Sequence, residues 1–209
     1  MAPGRWEVTQ PMAHDELAAI LFDLGDVIMR EETEEKLDEV TQRADLVPGM
    51  ADLLRQLRRQ GRRLGLVADT RAGTYRNVLR QHGLYDLFET FAISDHLGCV
   101  KPDRRMFAHA LDELGIPPTD WSRVVMVGNN LARDIRGANA LGLISVWLAW
   151  NERYPTAPAD PSERPCYQVG TADELAVLLD ALARGERQAP FAHPRPFPWA
   201  AGGTGQAPP

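Results

Sequence analysis

The stretch "ILFDLGDVIM", residues 20–29, begins as a buried strand and then turns to charge. Ile20, Leu21 and Phe22 form an apolar run typical of a strand inside a sheet, and Asp23 follows directly. Aspartate is rare in strands, and an unpaired buried carboxylate is unfavourable. An aspartate that ends such a strand, with Gly25 beside it, therefore indicates a functional carboxylate at the edge of a sheet.

Outward from this stretch, apolar runs alternate with amphipathic segments. The runs lie at 18–23, 63–69, 90–94, 123–128 and 143–150, and helical spacing marks 50–61, 74–83, 103–116, 130–142 and 171–185. Alternation of strands and helices, with nearly continuous apolar strands, favours a parallel sheet covered on both faces. We predict an α/β fold with a doubly wound, Rossmann-like parallel sheet in three α/β/α layers and no sizeable cap domain.

The length of 209 residues predicts one α/β domain, which we place at 18–186. A polar leader at 1–17 and a Pro- and Gly-rich tail at 187–209 are expected to be flexible and disordered, respectively. No apolar run is long enough for a bilayer, no signal-peptide core is present, and the net charge of −6 argues against nucleic-acid binding. Cys99 and Cys166 form neither a disulfide framework nor a zinc motif, so we expect a cytoplasmic protein.

Polar residues follow the predicted strands at their carboxyl ends, where open α/β sheets bind ligands. In chain order they are Asp23, Asp69, Thr70, Arg71, Lys101, Asn129, Asn130 and Asp134. Lys101 is informative because Lys36 and Lys101 are the only lysines among 23 basic residues, the others being arginines. The residue types at this edge predict a single site.

These residues suit phosphoryl transfer. The carboxylate of Asp23 can attack phosphorus and form an aspartyl-phosphate that water then hydrolyses. Lys101 would supply a compact positive charge for the transferred group, and Asp69, Thr70 and Arg71 are assigned to phosphate binding, with turn formation as the alternative. Mg²⁺ is the predicted cofactor, since carboxylates such as Asp23 and the downstream aspartate of the fourth strand are ligands that it prefers.

Four segments, in order, resemble the motifs of the haloacid dehalogenase superfamily. They are "FDLGDVI" at 22–28, "LGLVADT" at 64–70, "VKPDRRMF" at 100–107 and "VMVGNNLARDIRGANALG" at 125–142. Most members are Mg²⁺-dependent phosphatases with an aspartate nucleophile, which the resemblance places at Asp23. It also implies a metal site formed by Asp23, the backbone carbonyl of Gly25, Asn129 and Asp134.

The chain departs from the motifs of that family at three positions. Gly25 stands where most family phosphatases have an aspartate as general acid, and Asp26 is the expected substitute. Ala68 takes the place of the hydroxyl residue of the second motif, and Asn129 that of an acidic residue of the fourth. These departures favour weak activity or the loss of it.

The segment "REETEEKLDEVTQRADL", residues 30–46, is too short for a folded cap domain. An open site suits a phosphorylated small molecule or macromolecule as substrate, and a second copy of the chain would be able to cover it. The main alternative to a hydrolase is a scaffold of the same fold that binds a phosphorylated ligand or a protein. A phospho-acceptor signalling domain and a haloacid dehalogenase proper fit the residues less well.

Overall fold

The computed structural model describes residues 17–186 of the chain. Its strands are β1 Ala19–Phe22, β2 Glu35–Leu37, β3 Val40–Arg43, β4 Leu64–Ala68, β5 Thr90–Ile93, β6 Val124–Gly128, β7 Ile144–Leu148 and β8 Tyr167–Val169. Within these residues, six strands form one parallel sheet in the order β5-β4-β1-β6-β7-β8. The predicted doubly wound parallel sheet is confirmed.

Six helices of the described region cover the sheet. They are α1 Met50–Arg59, α2 Ala72–Gln81, α3 Ser94–Leu97, α4 Arg104–Glu113, α5 Arg136–Ala140 and α6 Ala172–Ala183. The side chains of β1 alternate between two apolar clusters, with Ile20 and Phe22 on the face covered by α1, α2 and α6. Leu21 lies on the opposite face, which α4 and α5 cover. The sheet is therefore buried on both sides, as its apolar strands predict.

Two of the helix starts that the sequence predicts, at Asn130 and Thr171, are capped by side chains. Asn130 accepts a hydrogen bond from the backbone N–H of Arg133 at 3.2 Å. The Thr171 hydroxyl accepts one from the N–H of Glu174 at 3.1 Å, and the Glu174 carboxylate accepts one from Gly170 at 2.6 Å. These bonds satisfy N–H groups that have no partner within the first helical turn.

One element that the sequence did not predict is the antiparallel hairpin of β2 and β3. Its turn uses Asp38 and Glu39, both with left-handed backbone at φ +48° and +65°. The hairpin packs on α2, where the N–H of Thr41 donates to the Thr74 hydroxyl at 3.0 Å. Within residues 17–186, the segment between β1 and α1 adds this hairpin and no larger unit.

The predicted leader and tail lie almost entirely outside the described residues, which exclude 1–16 and 187–209. No helix among residues 17–186 combines the length and apolar character that crossing a bilayer requires.

Candidate active site

The carboxyl ends of three adjacent strands, β4, β1 and β6, form the floor of an open cavity of about 720 Å³. Asp23 follows β1, Asp69 follows β4 and Asn129 follows β6, and all three line the cavity. Because the strands are parallel and neighbouring, residues far apart in the chain meet at one edge. Lys101 and Asp134 complete the floor.

Lys101 lies between two carboxylates. Its Nζ is 2.6 Å from Oδ1 of Asp23 and 2.6 Å from Oδ1 of Asp134. The side chains of Lys101 and Asp134 are 1% and 0% exposed, whereas that of Asp23 is 14% exposed, toward the cavity. Asp23 is therefore the carboxylate of this trio that a ligand can reach.

The three charges influence one another strongly. Burial raises the pKa of Asp23 to about 7, with a further increase from the Asp134 carboxylate, although the Lys101 ammonium opposes both effects. Burial by itself would lower the pKa of Lys101, but the carboxylates of Asp134 and Asp23 hold it above its ordinary value. One ammonium thus pairs with two buried carboxylates. The trio of Asp23, Lys101 and Asp134 therefore has a net negative charge when all three groups are ionised.

Hydrogen bonds from the loops, and a glycine at the end of β6, hold Lys101 and Asp134 in place. Oδ1 of Asp69 accepts a hydrogen bond from the backbone N–H of Lys101 at 2.9 Å. Asp134 accepts one from the N–H of Asn130 at 3.0 Å and lies in a π-helical turn, Leu131–Ile135. A Cβ at Gly128 would lie 2.2 Å from that of Asp134, so the close approach of this carboxylate requires glycine at the end of β6.

The loop after β4, which is predicted to bind phosphate, lies beside the cavity. Asp69, Thr70 and Arg71 all line the cavity. The Asp69 carboxylate positions Lys101 and also lies 3.5 Å from Arg133, and phosphate binding by Asp69 stays a prediction. Arg71 pairs with Asp95 at 3.1 Å and keeps much of its guanidinium exposed at the rim.

The structure corrects the expectation for Asp26. Its carboxylate is completely buried, accepts a hydrogen bond from the backbone N–H of Glu31 at 3.0 Å, and pairs with Arg153 at 2.5 Å. Its carbonyl accepts a hydrogen bond from the indole N–H of Trp150 at 2.6 Å. The residue has a left-handed backbone, with φ +48°, and does not line the cavity. Asp26 is a turn residue and is not placed to act on a substrate.

Several cavity-lining residues were not among the sequence-based candidates. Glu31, Lys36 and Glu39 come from the segment that contains the hairpin, and Tyr154 comes from the loop between β7 and β8. The position of Tyr154 after a strand end was a usable signal, because that loop must leave the sheet at the same edge. Lys36 was singled out only as one of two lysines, and both of them line the cavity.

The donor set fits a hard divalent cation. Asp23 and Asp134 supply carboxylates, and Asn129 is 5% exposed, with an amide nitrogen that finds no hydrogen-bond partner among residues 17–186. The amide oxygen of Asn129 is a neutral ligand of the kind that such a cation accepts, and the cation would offset the net negative charge of the trio. Within the described residues no group of three or more His, Cys, Asp or Glu side chains is arranged to hold a metal ion.

The chain is similar in sequence to known hydrolases. A family model of haloacid dehalogenase-like hydrolases matches residues 12–142. The chain is 30% identical over 137 residues to glyceraldehyde 3-phosphate phosphatase of Methanopyrus kandleri, covering 66% of this chain and 58% of that protein. It is 34% identical over 140 residues to phosphoserine phosphatase of Thermus thermophilus, covering 67% and 53%. The chain thus spans little more than half the length of these curated relatives.

The fold has a solved counterpart in a HAD phosphatase from Thermococcus onnurineus. The TM-score is 0.61 at 21% sequence identity, over 77% of this chain and 97% of that one. At this identity the likeness concerns the fold alone.

Proposed function

The chain belongs to the haloacid dehalogenase-like hydrolase family, and from that premise we propose that it is a phosphatase with Asp23 as its nucleophile. The observation that carries the proposal is the Lys101 ammonium, 2.6 Å from the carboxylates of both Asp23 and Asp134 at the carboxyl edge of the sheet. Such a cation neutralises the nucleophile and the approaching phosphate together, which lowers the electrostatic barrier between two anions.

The reaction would proceed in two displacements. A carboxylate oxygen of Asp23 attacks phosphorus, the bond from phosphorus to the ester oxygen breaks, and an aspartyl-phosphate forms. Water then attacks the same phosphorus, which releases inorganic phosphate and restores Asp23. Lys101 stays in contact with Asp23 throughout. Asp69 holds the backbone of Lys101 in place by accepting a hydrogen bond from its N–H.

Asp23, Asp134 and Asn129, with the carbonyl of Gly25 as the resemblance implies, would hold Mg²⁺. When bound, this ion would supply charge stabilisation to the phosphoryl oxygens. The supporting feature is the pair of carboxylates, Asp23 and Asp134, at the floor of the cavity.

Small phosphomonoesters are the proposed substrates. The two curated relatives are named for glyceraldehyde 3-phosphate and phosphoserine, and a cavity of about 720 Å³ is large enough for such molecules. Within the described residues the segment between β1 and α1 adds a hairpin and no larger unit beside the cavity, so a phosphorylated macromolecule or closure by a second copy is also compatible with it.

The test measures phosphate release from a panel of small phosphomonoesters, including these two, with Mg²⁺ or with EDTA. We expect release that requires Mg²⁺ and is abolished in Asp23→Asn. Acid quenching during turnover should trap wild-type protein heavier by one phosphoryl group, and the variant should not be trapped. A folded wild-type protein that is silent across the panel would support the scaffold alternative, which the departures from the family motifs at Gly25, Ala68 and Asn129 favour.

A further inference from the structure

The space beside Gly25 is filled by the carboxyl group of Glu31. A Cβ built on Gly25 would lie 2.0 Å from Oε1 of Glu31 and 2.9 Å from its Cδ. Gly25 is two residues beyond Asp23, and all three residues line the same cavity. The Glu31 carboxyl therefore occupies the place into which a side chain at position 25 would project.

Glu31 is held in this place from two sides. Its backbone N–H donates to Oδ1 of Asp26 at 3.0 Å, and its Oε2 lies 3.6 Å from Nε of Arg153. Arg153 in turn pairs with Asp26 at 2.5 Å. These contacts engage the backbone and one carboxyl oxygen of Glu31, and they leave Oε1 beside Gly25 and the cavity. A carboxyl group that is oriented in this way can serve a chemical role without rearrangement.

We propose that Glu31 exchanges the proton with the leaving group, in place of the side chain that position 25 lacks. The inference rests on the proposed function. As the bond from phosphorus to the ester oxygen breaks, the carboxyl O–H of Glu31 gives its proton to that oxygen, and the product leaves as an alcohol. The resulting carboxylate then takes a proton from the water that attacks the aspartyl-phosphate, which restores both groups.

The surroundings of Glu31 agree with this role. Its side chain is 28% exposed, so it is neither sealed in the core nor free in solvent.

The experiment compares two leaving groups in Glu31→Gln. With glycerol 2-phosphate, whose alkoxide leaves poorly, kcat/KM should fall about 10²-fold or more, the usual contribution of general acid catalysis. With p-nitrophenyl phosphate, whose phenolate leaves without a proton, kcat/KM should stay within a few-fold of wild type. The kcat of Glu31→Gln with p-nitrophenyl phosphate should fall, and a burst of p-nitrophenolate should precede the slow turnover. The reason is that hydrolysis of the aspartyl-phosphate by water also loses its general base. Glu32→Gln is the matched control, since Glu32 is the exposed neighbour and pairs with Arg30.

A second pair of variants tests the geometry without relying on activity alone. Gly25→Asp should lower the Tm, because its side chain would collide with Glu31, and Gly25→Asp with Glu31→Ala should recover the Tm and turnover of glycerol 2-phosphate. Equal losses on both substrates in Glu31→Gln, or no recovery in the double variant, would overturn the inference while leaving the proposed function intact. Wild-type protein inactive on both substrates would instead reject the proposed function, and the inference with it.

Discussion

The site requires the small ammonium group of Lys101. Its ammonium contacts two carboxylates at 2.6 Å each with almost no solvent exposure, a space that a planar guanidinium does not fit. In a chain with 21 arginines and two lysines, a lysine in this position indicates selection for size as well as charge.

Lys101→Arg should therefore lower both phosphatase activity and stability. We expect kcat/KM to fall by at least tenfold and the Tm by several degrees, because overpacking a buried site typically destabilises by about 1–3 kcal/mol. The measurements are steady-state kinetics and thermal denaturation. Lys36→Arg is the matched control for stability, since the Lys36 side chain is 52% exposed and pairs with Glu34. An unchanged Tm and kcat/KM in Lys101→Arg would contradict the requirement for an ammonium.

Asp23→Asn should change stability with a definite pH dependence when metal is removed by EDTA. The folded-state pKa of Asp23 is raised to about 7, so the folded state loses stability as pH rises from about 4 to about 7 and this carboxyl ionises in a buried place. The asparagine variant does not ionise there. Its Tm should exceed that of wild type by a few degrees above pH 7, and the difference should vanish near pH 4. A difference that grows toward acid pH would contradict this assignment.

Asn129→Asp should tighten Mg²⁺ binding and weaken the metal-free fold. A third carboxylate beside Asp23 and Asp134 adds a charged ligand for a hard cation, and we expect about tenfold higher affinity, or about 1.4 kcal/mol. Without metal, the same charge has only Lys101 to balance it, so the Tm in EDTA should fall. Titration calorimetry with Mg²⁺ and melting curves check both effects. Asn130→Asp is the control, because Asn130 caps a turn and aspartate caps equally well.

At the scale of elements, the turn after β1 and the loop between β7 and β8 form one unit. Asp26 joins them, since its carboxylate binds Arg153 and its carbonyl accepts the Trp150 indole N–H. The same loop is anchored further along by Glu163, which is buried and pairs with Arg136 at 2.6 Å. The unit forms one wall of the cavity without contributing the nucleophile.

Asp26→Ala should destabilise the protein by about 3 kcal/mol, on the order of 10 °C in Tm. The change removes the shorter ion pair of Arg153 and the acceptor of the Glu31 N–H, and alanine tolerates a φ of +48° poorly. Asp26→Asn should lose less, because asparagine keeps an acceptor and is favoured in left-handed backbone. Denaturant unfolding of both variants gives the comparison. Equal losses would show that neither the acceptor nor the backbone conformation matters at this position.

For the whole molecule, deletion of residues 188–209 should leave the Tm and kcat/KM within error of the full chain. The described residues bury a two-faced core of their own, and α6 packs on it through Leu175, Leu178 and Leu179. Melting curves and kinetics of the truncated protein check this expectation. A drop of several degrees would mean that the Phe and Trp side chains of the deleted segment contribute to the core.

Most of the architecture could be predicted because its elements follow strong local patterns. The strands of the sheet up to β7 are apolar runs, and the long helices carry apolar residues at helical spacing. The hairpin escaped prediction because β2 is three polar or exposed residues and its turn lacks glycine. Strand β8 escaped because three residues are too few to show a period.

The order of residues along the chain is enough to predict which polar side chains reach the carboxyl edge of the sheet. All strands of a parallel sheet end at that edge. Asp23, Lys101 and Asp134 could be grouped on that rule alone. The positions of the neighbouring carboxylates, Asp26 and Glu31, depend on the tertiary structure. Asp26 follows the nucleophile closely but turns into the core, whereas Glu31, eight residues beyond Asp23, fills the space beside Gly25. The direction of a side chain after a strand end depends on the geometry of the turn and on contacts from distant loops. Arg153, which contacts both Asp26 and Glu31, comes from such a loop, and no local sequence pattern encodes its contacts.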